Sequence, residues 1–541
     1  MSIDEEAPPA ADSAIVSREV LRGIPWAIAS KIILLFVYAV VSWITWNYLG
    51  QSEYGVLTKC RTLAEVLIVF CGLGLGTSLA RFIPELQVQQ NKSGLVRLIR
   101  TTCGWEAASL VVCGALVFVA KPALDRYFFG VDSGDFTGST TPLLWAVLLF
   151  VAARAFRNYL DVVMTSLYCV AATAVQSAVQ GLLLVGLLFV SLSPEPYRVA
   201  GVALSAQTVA LAMVSVYGAW WLFRYLGKLE WNGEDDEAIG SRRLFSLGWA
   251  SLLNQSGQLI MQRYSEVVFL SASAPAAVVG IYDLGVGQTQ MFLTLLPFAV
   301  HGLFTSAVSE SYARDPDCLG RLIRTYYKVL ILVLLPMSAF GAFFSPEIFG
   351  LFFPSENNQA GQVASWFFVI HLLGFISVPL SMAVIAKEKV LAMTPLLYMT
   401  IVVNLVLDYV LIPKYQILGA TAAVVLTFAL TIPIRLYVAR RIIGGIYFPM
   451  SFFLRHSLVL FGGAWGLSLL APRFDRIFAP WLGAYASLPT IVLLGVVFVG
   501  LYLLALRYLH LFTHEDAVEF RKMNVARLDK LLNLIAGHQP I

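Results

Sequence analysis

An all-α polytopic membrane protein of about fourteen transmembrane helices, arranged as two pseudo-symmetric six-helix lobes plus a C-terminal helix pair, is the fold class that the sequence predicts. Three observations predict it. Of the 541 residues 58% are hydrophobic and only 13% charged, with a mean hydropathy of +0.76, outside the range of water-soluble globular domains. Apolar runs of roughly 18 or more residues recur along the whole length, each long enough to cross a hydrocarbon core of about 30 Å as a helix. The pentapeptide Arg97-Leu98-Ile99-Arg100-Thr101 returns unchanged as Arg321-Leu322-Ile323-Arg324-Thr325, and Trp26 with Trp249, Gly55 with Gly280, Glu85 with Glu310 and Gly201 with Gly419 keep nearly the same offset. A unit of about 220 residues is therefore duplicated.

The elements follow in order. Residues 1–23 are acidic and Pro/Ala-rich, lack the apolar core and small-residue cleavage site of a signal peptide, and form a cytoplasmic tail. The N-lobe, 24–226, holds the runs 24–49, 56–83, 97–120, 141–165, 170–193 and 199–224. The hydrophilic stretch 227–243, "GKLEWNGEDDEAIGSRR", is the cytoplasmic linker. The C-lobe, 244–441, repeats the pattern with 244–270, 277–307, 325–345, 361–385, 390–412 and 417–440, and residues 442–510 add the runs 451–471 and 481–509. In the tail 511–541 a capping-type Thr513 and Asp516 precede Met523, Leu528, Leu531, Leu532 and Ile535 at near-helical spacing, which predicts an amphipathic cytoplasmic helix.

Cations alternate between loops. Arg18 and Arg22; Lys92, Arg97 and Arg100; Arg224, Lys228, Arg242 and Arg243; Arg314, Arg321 and Arg324; Lys387 and Lys389; and Arg440, Arg441 and Arg455 mark one side, whereas loops such as "SPEP" at 193–196 and "SASAPA" at 271–276 carry none. By the positive-inside rule the first side is cytoplasmic, and both termini lie there. Two lobes inserted with the same orientation are related by an axis along the membrane normal, an architecture of transporters that work by alternating access. A net charge of +4 is too small to indicate nucleic-acid binding. Six cysteines without metal-ligand spacing read as free structural thiols.

An ionised side chain at mid-bilayer costs about 2.5–3.5 kcal/mol on insertion scales, so each needs a partner, a wet cavity or a ligand. Lys59, Arg61 and Glu65 lie in the second run, Arg154, Arg157 and Asp161 in the fourth, Arg263 and Glu266 in the seventh, Asp283 in the eighth and Asp408 in the eleventh. Helical spacing allows Arg61 with Glu65, Arg157 with Asp161, and Arg263 with Glu266 to neutralise each other locally. The alternative is that Arg61, Arg154, Arg157 and Arg263, with Lys59 and Lys31, offer guanidinium forks and point charges to a phosphate-bearing substrate. Asp408, Asp283, Glu65, Glu266 and Asp161 are then candidates for coupling to H+ or Na+, and His301 and His371 fit packing roles better than direct ones. "CGLGLGTS" at 71–78 lacks the strand and the Gly-Lys-Ser/Thr of a phosphate loop, and no catalytic triad, metal spacing or nucleotide motif appears. The chain is not expected to be an enzyme or to need a cofactor. Asp132 and Asp135 read as ordinary loop aspartates rather than as a metal-dependent glycosyltransferase site.

Four stretches resemble the polysaccharide-biosynthesis and oligosaccharide flippases of the multidrug/oligosaccharidyl-lipid/polysaccharide (MOP) exporter superfamily: residues 48–85, 278–300, 404–425 and the linkers between paired spans. The third is the most specific, with Asn404, Leu411, Ile412, Pro413, Lys414, Gly419 and Ala420 in the family's pattern and Asp408 where a second Asn is usual. The resemblance implies a V-shaped cavity between two six-helix lobes, a last helix pair that serves a polyprenyl tail, and cavity cations at Arg61 and Arg263. It also implies a lipid-linked oligosaccharide as substrate, contact with membrane lipids, a polysaccharide pathway's glycosyltransferases and polymerase as partners, and residence in a bacterial inner membrane. A cation-coupled small-molecule exporter of the same superfamily, or a membrane-embedded glycosyltransferase or polymerase, are the alternatives.

Overall fold

The computed structural model describes residues 11–130, 139–167, 169–228, 241–260, 264–294, 319–354, 358–387, 389, 393–482, 486–509 and 511. The linker's residues 229–240, the tail beyond 511, Asp132, Asp135, Arg263, His301 and Glu310 lie outside that description. The chain forms two compact units, Met1–Ala277 and Val278–Ile541, and in both the regular structure of the described residues is helical.

The first unit opens with α1 (Ala11–Cys71), interrupted at Gly50, whose φ of 74° and ψ of 176° no helix tolerates. A straight helix would hold Trp46 and Tyr54 about 12 Å apart; their rings meet edge to face with centroids 5.2 Å apart. Gly50 thus turns α1 into a hairpin, and glycine is suited to it because a side chain disfavours positive φ. Leu73 and Gly74, both at positive φ, end α1 and start α2 (Leu75–Val88). Asn91 then caps α3 (Lys92–Val119) by accepting the Gly94 N–H at 2.6 Å. After a short turn of helix come α4 (Thr140–Ser166), α5 (Val170–Leu192), α6 (Ala200–Lys228), α7 (Ser241–Leu259) and α8 (Ser265–Ser273). The Glu53 carboxylate accepts the Ala200 N–H at 2.8 Å, closing the start of α6 onto α1. Val41, Ile44, Leu57 and Ala64 of α1 pack on Leu144, Val147 and Val151 of α4, Leu188 of α5 and Leu204 of α6. A second apolar cluster joins α2, α3 and α4 through Leu79, Ile83, Leu95, Leu98 and Leu160. Gly55 admits the Ala276 carbonyl so closely that a Cβ there would lie 1.7 Å from its oxygen.

In the second unit α9 (276–294), most of which follows the division, precedes α10 (Leu319–Phe352), α11 (Gln359–Gly374), α12 (Val378–Ala386), α13 (Thr394–Ile443), α14 (Met450–Ser468), α15 (Ala471–Leu482) and α16 (Ser487–Tyr508). α13 is the second hairpin. Its break is Gln416 (φ 47°, ψ −120°), and Arg435 donates to the Thr400 hydroxyl at 2.8 Å, although 35 residues of straight helix would separate them by about 52 Å. Gly419 lies against the Leu411 carbonyl, where a Cβ would come within 2.3 Å of the oxygen. The apolar core gathers Tyr326, Leu334 and Phe344 of α10, Met382 of α12, Leu460 of α14, and Leu494 and Phe498 of α16.

Nine helices among the described residues are long and apolar enough to cross a membrane, ten if the α14–α15 pair, bent by 42°, is one span. The apolar runs are more numerous because α1 and α13 each carry two of them across a hairpin break, and the runs 244–270 and 277–307 fall partly outside the described residues. The protein is a multi-pass membrane protein. Both copies of Arg-Leu-Ile-Arg-Thr lie near the start of a helix, α3 or α10, with Arg97, Arg100, Arg321 and Arg324 all exposed, but the buried apolar residue is Leu98 in the first copy and Ile323, the counterpart of the half-buried Ile99, in the second.

Candidate functional site

The first unit gathers most of its intramembrane charges where α1 and α4 meet. α1 supplies Tyr38 from its first arm and Lys59, Arg61 and Glu65 from its second; α4 supplies Arg154, Arg157 and Asp161. The side chain of Arg154 hydrogen-bonds with Tyr38 and lies in the fields of Glu65 and Asp161. Tyr38 and Glu65 would be about 40 Å apart on a straight helix, so the fold at Gly50 is what brings both to one arginine.

Arg157 is 1% exposed and held by three side chains. Its guanidinium reaches Asp161 at 2.9 Å and donates to Gln176 Oε1 at 2.6 Å and Gln180 Oε1 at 3.3 Å, both on α5. Three acceptors around a planar five-donor group fix its orientation. Arg61 is held differently. Among the described residues its one hydrogen bond runs from Nε to Gln207 Oε1 of α6 at 3.3 Å, and the pairing with Glu65 that the spacing permits is not made. With Nε engaged, both Nη groups of this half-buried arginine remain available. Lys59 is fully buried, with Nζ 3.4 Å from the Ser271 carbonyl at the end of α8. α1 and α4 thus contribute Lys59, Arg61, Arg154 and Arg157 here, with Glu65 and Asp161 as the acids among them.

The other expected residues are on other helices. Glu266 on α8 is buried and accepts from Ser265 Oγ at 3.2 Å; its expected partner Arg263 lies outside the described residues, as does the side chain of Lys31. In the second unit Asp283 is buried on α9, and Asp408 is buried on α13 one turn after the equally buried Asn404. His371 is half-buried with its ring 5.4 Å from that of Phe367, a packing position. No group of three or more His, Cys, Asp or Glu among the described residues could hold a metal ion.

Sequence reasoning did not single out Tyr38, Gln176, Gln180 and Gln207, which hold the arginines, or Glu106 in the middle of α3. The signal was present: an amide or carboxylate in an apolar run needs a partner as an arginine does.

Residues 20–308, more than half of the chain, match the family described as polysaccharide biosynthesis protein. The chain belongs to this family. As a polysaccharide biosynthesis protein it has a relative in an uncharacterized membrane protein of Methanocaldococcus jannaschii, 22% identical over 427 residues that cover 75% of this chain and 81% of the relative. Its fold is that of the MOP superfamily of membrane transporters. It is similar to the lipid II flippase MurJ in an inward closed conformation, with a TM-score of 0.60 at 12% identity, covering 89% of this chain and 98% of that one. A multidrug resistance MATE family transporter in its inward-facing conformation gives 0.57 at 14% identity, covering 78% and 98%. A MOP superfamily transporter from Pyrococcus furiosus, whose binding pocket is described as having reverse polarity, gives 0.55 at 15% identity, covering 79% and 96%.

Proposed function

We propose that this polysaccharide biosynthesis protein is a flippase that carries a polyprenyl-pyrophosphate-linked oligosaccharide from the cytoplasmic to the outer leaflet by alternating access, for cell-surface polysaccharide assembly. The observation that supports the reading is the unequal use of the arginines within one membrane-embedded unit. Arg157 is spent on structure, whereas Arg61 is oriented through a single neutral contact that leaves its two Nη groups to meet phosphate oxygens bidentately. Lys59, Arg154 and Lys31 add positive charge to the same reading, and Arg263 is its candidate in the seventh run. The polar headgroup would travel past these cations while the polyprenyl tail stays in hydrocarbon, so neither is moved through an environment that rejects it. No covalent chemistry and no cofactor are required. Membrane lipids, glycosyltransferases and a polymerase are the expected partners, with H+ or Na+ as the driving ion.

Replacing both Arg61 and Arg263 by Ala is expected to abolish leaflet transfer of a labelled lipid-linked oligosaccharide in proteoliposomes; full transfer by the double variant overturns the reading. The second reading, a cation-coupled small-molecule exporter, is favoured by the buried Asp283 and Asp408 of the second unit. Deletion that raises drug sensitivity while leaving surface polysaccharide intact would select it.

A further inference from the structure

Glu106 stands at the middle of α3, about 21 Å along the helix from Lys92 and about 20 Å from Val119. Among the described residues no cation pairs with it. The groups around it are weak acids and apolar side chains: Cys103 on its own helix, Cys71 of α1 and Tyr159 of α4 lie within its field. The Tyr159 hydroxyl is itself engaged, donating to the Ile99 carbonyl at 2.6 Å and lying 3.0 Å from the Thr102 hydroxyl. The charged residues of the neighbouring α2, Arg81 and Glu85, pair with each other at 3.8 Å, and Glu85 also meets Arg243 of α7 at 3.4 Å. Cys113, one to two turns further along α3, hydrogen-bonds with Cys71.

The internal repeat supplies an independent argument. Setting Arg97 on Arg321 sets Glu106 on Leu330, which is buried in the apolar core of α10. The scaffold therefore builds the same helix with a leucine at this position, and the fold has no need of a carboxyl group there. A group that costs about 2.5–3.5 kcal/mol when ionised in the hydrocarbon, and that the duplicated copy does without, calls for a functional reason.

We infer that Glu106 is a proton-binding site of the transport cycle, taking up and releasing one proton as the membrane unit changes conformation. A proton fits where a metal cation does not: Na+, Mg2+ and Ca2+ need a shell of several oxygen ligands, and thiols with an engaged phenol do not provide one. Binding of the proton removes the uncompensated charge from the span, and loss of the proton requires water to reach the carboxylate. Occupancy of Glu106 therefore distinguishes a closed from a hydrated arrangement of α3 against α1 and α4. The part of this inference that concerns transport rests on the flippase reading; proton binding itself does not.

The test separates the two. The full chain and its Glu106→Gln variant are reconstituted without any lipid-linked sugar, and infrared difference spectra are recorded between about pH 8 and about pH 5. A carboxyl C=O band in the unaltered protein that is lost in Glu106→Gln and kept in Asp161→Asn is expected; absence of the band, or its persistence in Glu106→Gln, overturns the proposal. Glu106→Leu, which copies the sister position, is expected to fold and to lack the same band, so loss of folding cannot stand in for loss of the site. In a second arm, leaflet transfer of labelled lipid-linked oligosaccharide is measured with and without a pH gradient. Glu106→Gln is expected to lose the stimulation by the gradient, and stimulation equal to that of the unaltered protein overturns the coupling role. If the unaltered protein transfers no such lipid, the flippase reading fails and the infrared result still decides on Glu106.

Discussion

Arg157 and Arg61 should part company when each is replaced by alanine. Arg157→Ala removes a guanidinium that is 1% exposed and leaves three groups without their donor: Asp161 at 2.9 Å, Gln176 at 2.6 Å and Gln180 at 3.3 Å. Breaking a buried ion pair from one side costs about 3–5 kcal/mol. The Asp161 side chain is 37% exposed, which lets its freed charge be solvated and puts the expected loss near the lower end, about 3 kcal/mol. Arg61→Ala breaks one hydrogen bond of 3.3 Å to a neutral amide, a loss of about 1 kcal/mol. Reversible unfolding in mixed micelles at rising SDS gives both numbers, and leaflet transfer of a labelled lipid-linked oligosaccharide gives the activity of each folded variant. The expected pattern is a weakened but folded Arg157→Ala and a nearly wild-type stability with loss of transfer in Arg61→Ala. Equal destabilisation by the two, or full transfer by Arg61→Ala, would refute the division of the arginines into a structural and a substrate-facing one.

Three further outcomes follow from local geometry. Gly55→Val sets a side chain into the Ala276 carbonyl, where even a Cβ would lie 1.7 Å from the oxygen; it should destabilise the first unit by about 1–3 kcal/mol or more, read by the same unfolding assay. Gln416→Gly relieves a positive φ at the α13 turn and is expected to raise stability by up to about 1 kcal/mol, with a later unfolding midpoint as the check. Asp125, in the segment between α3 and α4, is held below the ordinary carboxylate range: burial opposes this, but the hydrogen bond from Lys121 at 2.5 Å, with Thr140, outweighs it. A depressed folded value means the contribution is present above the unfolded value of about 3.9 and is lost as pH falls through the folded one. Unfolding midpoints followed downward from about pH 5 should therefore fall less steeply in Asp125→Asn than in the unaltered protein.

Hydropathy and the repeat made the helical membrane fold legible, because the bilayer forces each crossing segment to state its length in apolar residues. The count was less legible. Hydropathy parted the runs at Gly50-Gln51-Ser52-Glu53 and at Pro413-Lys414-Tyr415-Gln416, but it gave no sign that each break is a turn so tight that helix continues on both sides of it. At the site, spacing foresaw Arg157 with Asp161 because both partners share a helix. It failed for Arg61 and Glu65, which the same rule would have paired, since the competing Gln207 comes from 146 residues away. Glu106 was overlooked because a single carboxylate makes no pattern along its own helix; only its comparison with Leu330 in the other copy marks it as out of place.

The Arg157 contact set also bears on how the protein is made. α4 emerges from the ribosome before α5, so Arg154 and Arg157 reach the membrane while Gln176 and Gln180 are still on their way to it. During that interval Asp161 is the one carboxylate on their own helix, positioned to offset a guanidinium as the segment partitions from the insertion machinery into lipid. Asp161 thus serves as an insertion partner first and as one of several acceptors afterwards, and its loss should be felt in the yield of correctly threaded chains as well as in the finished fold.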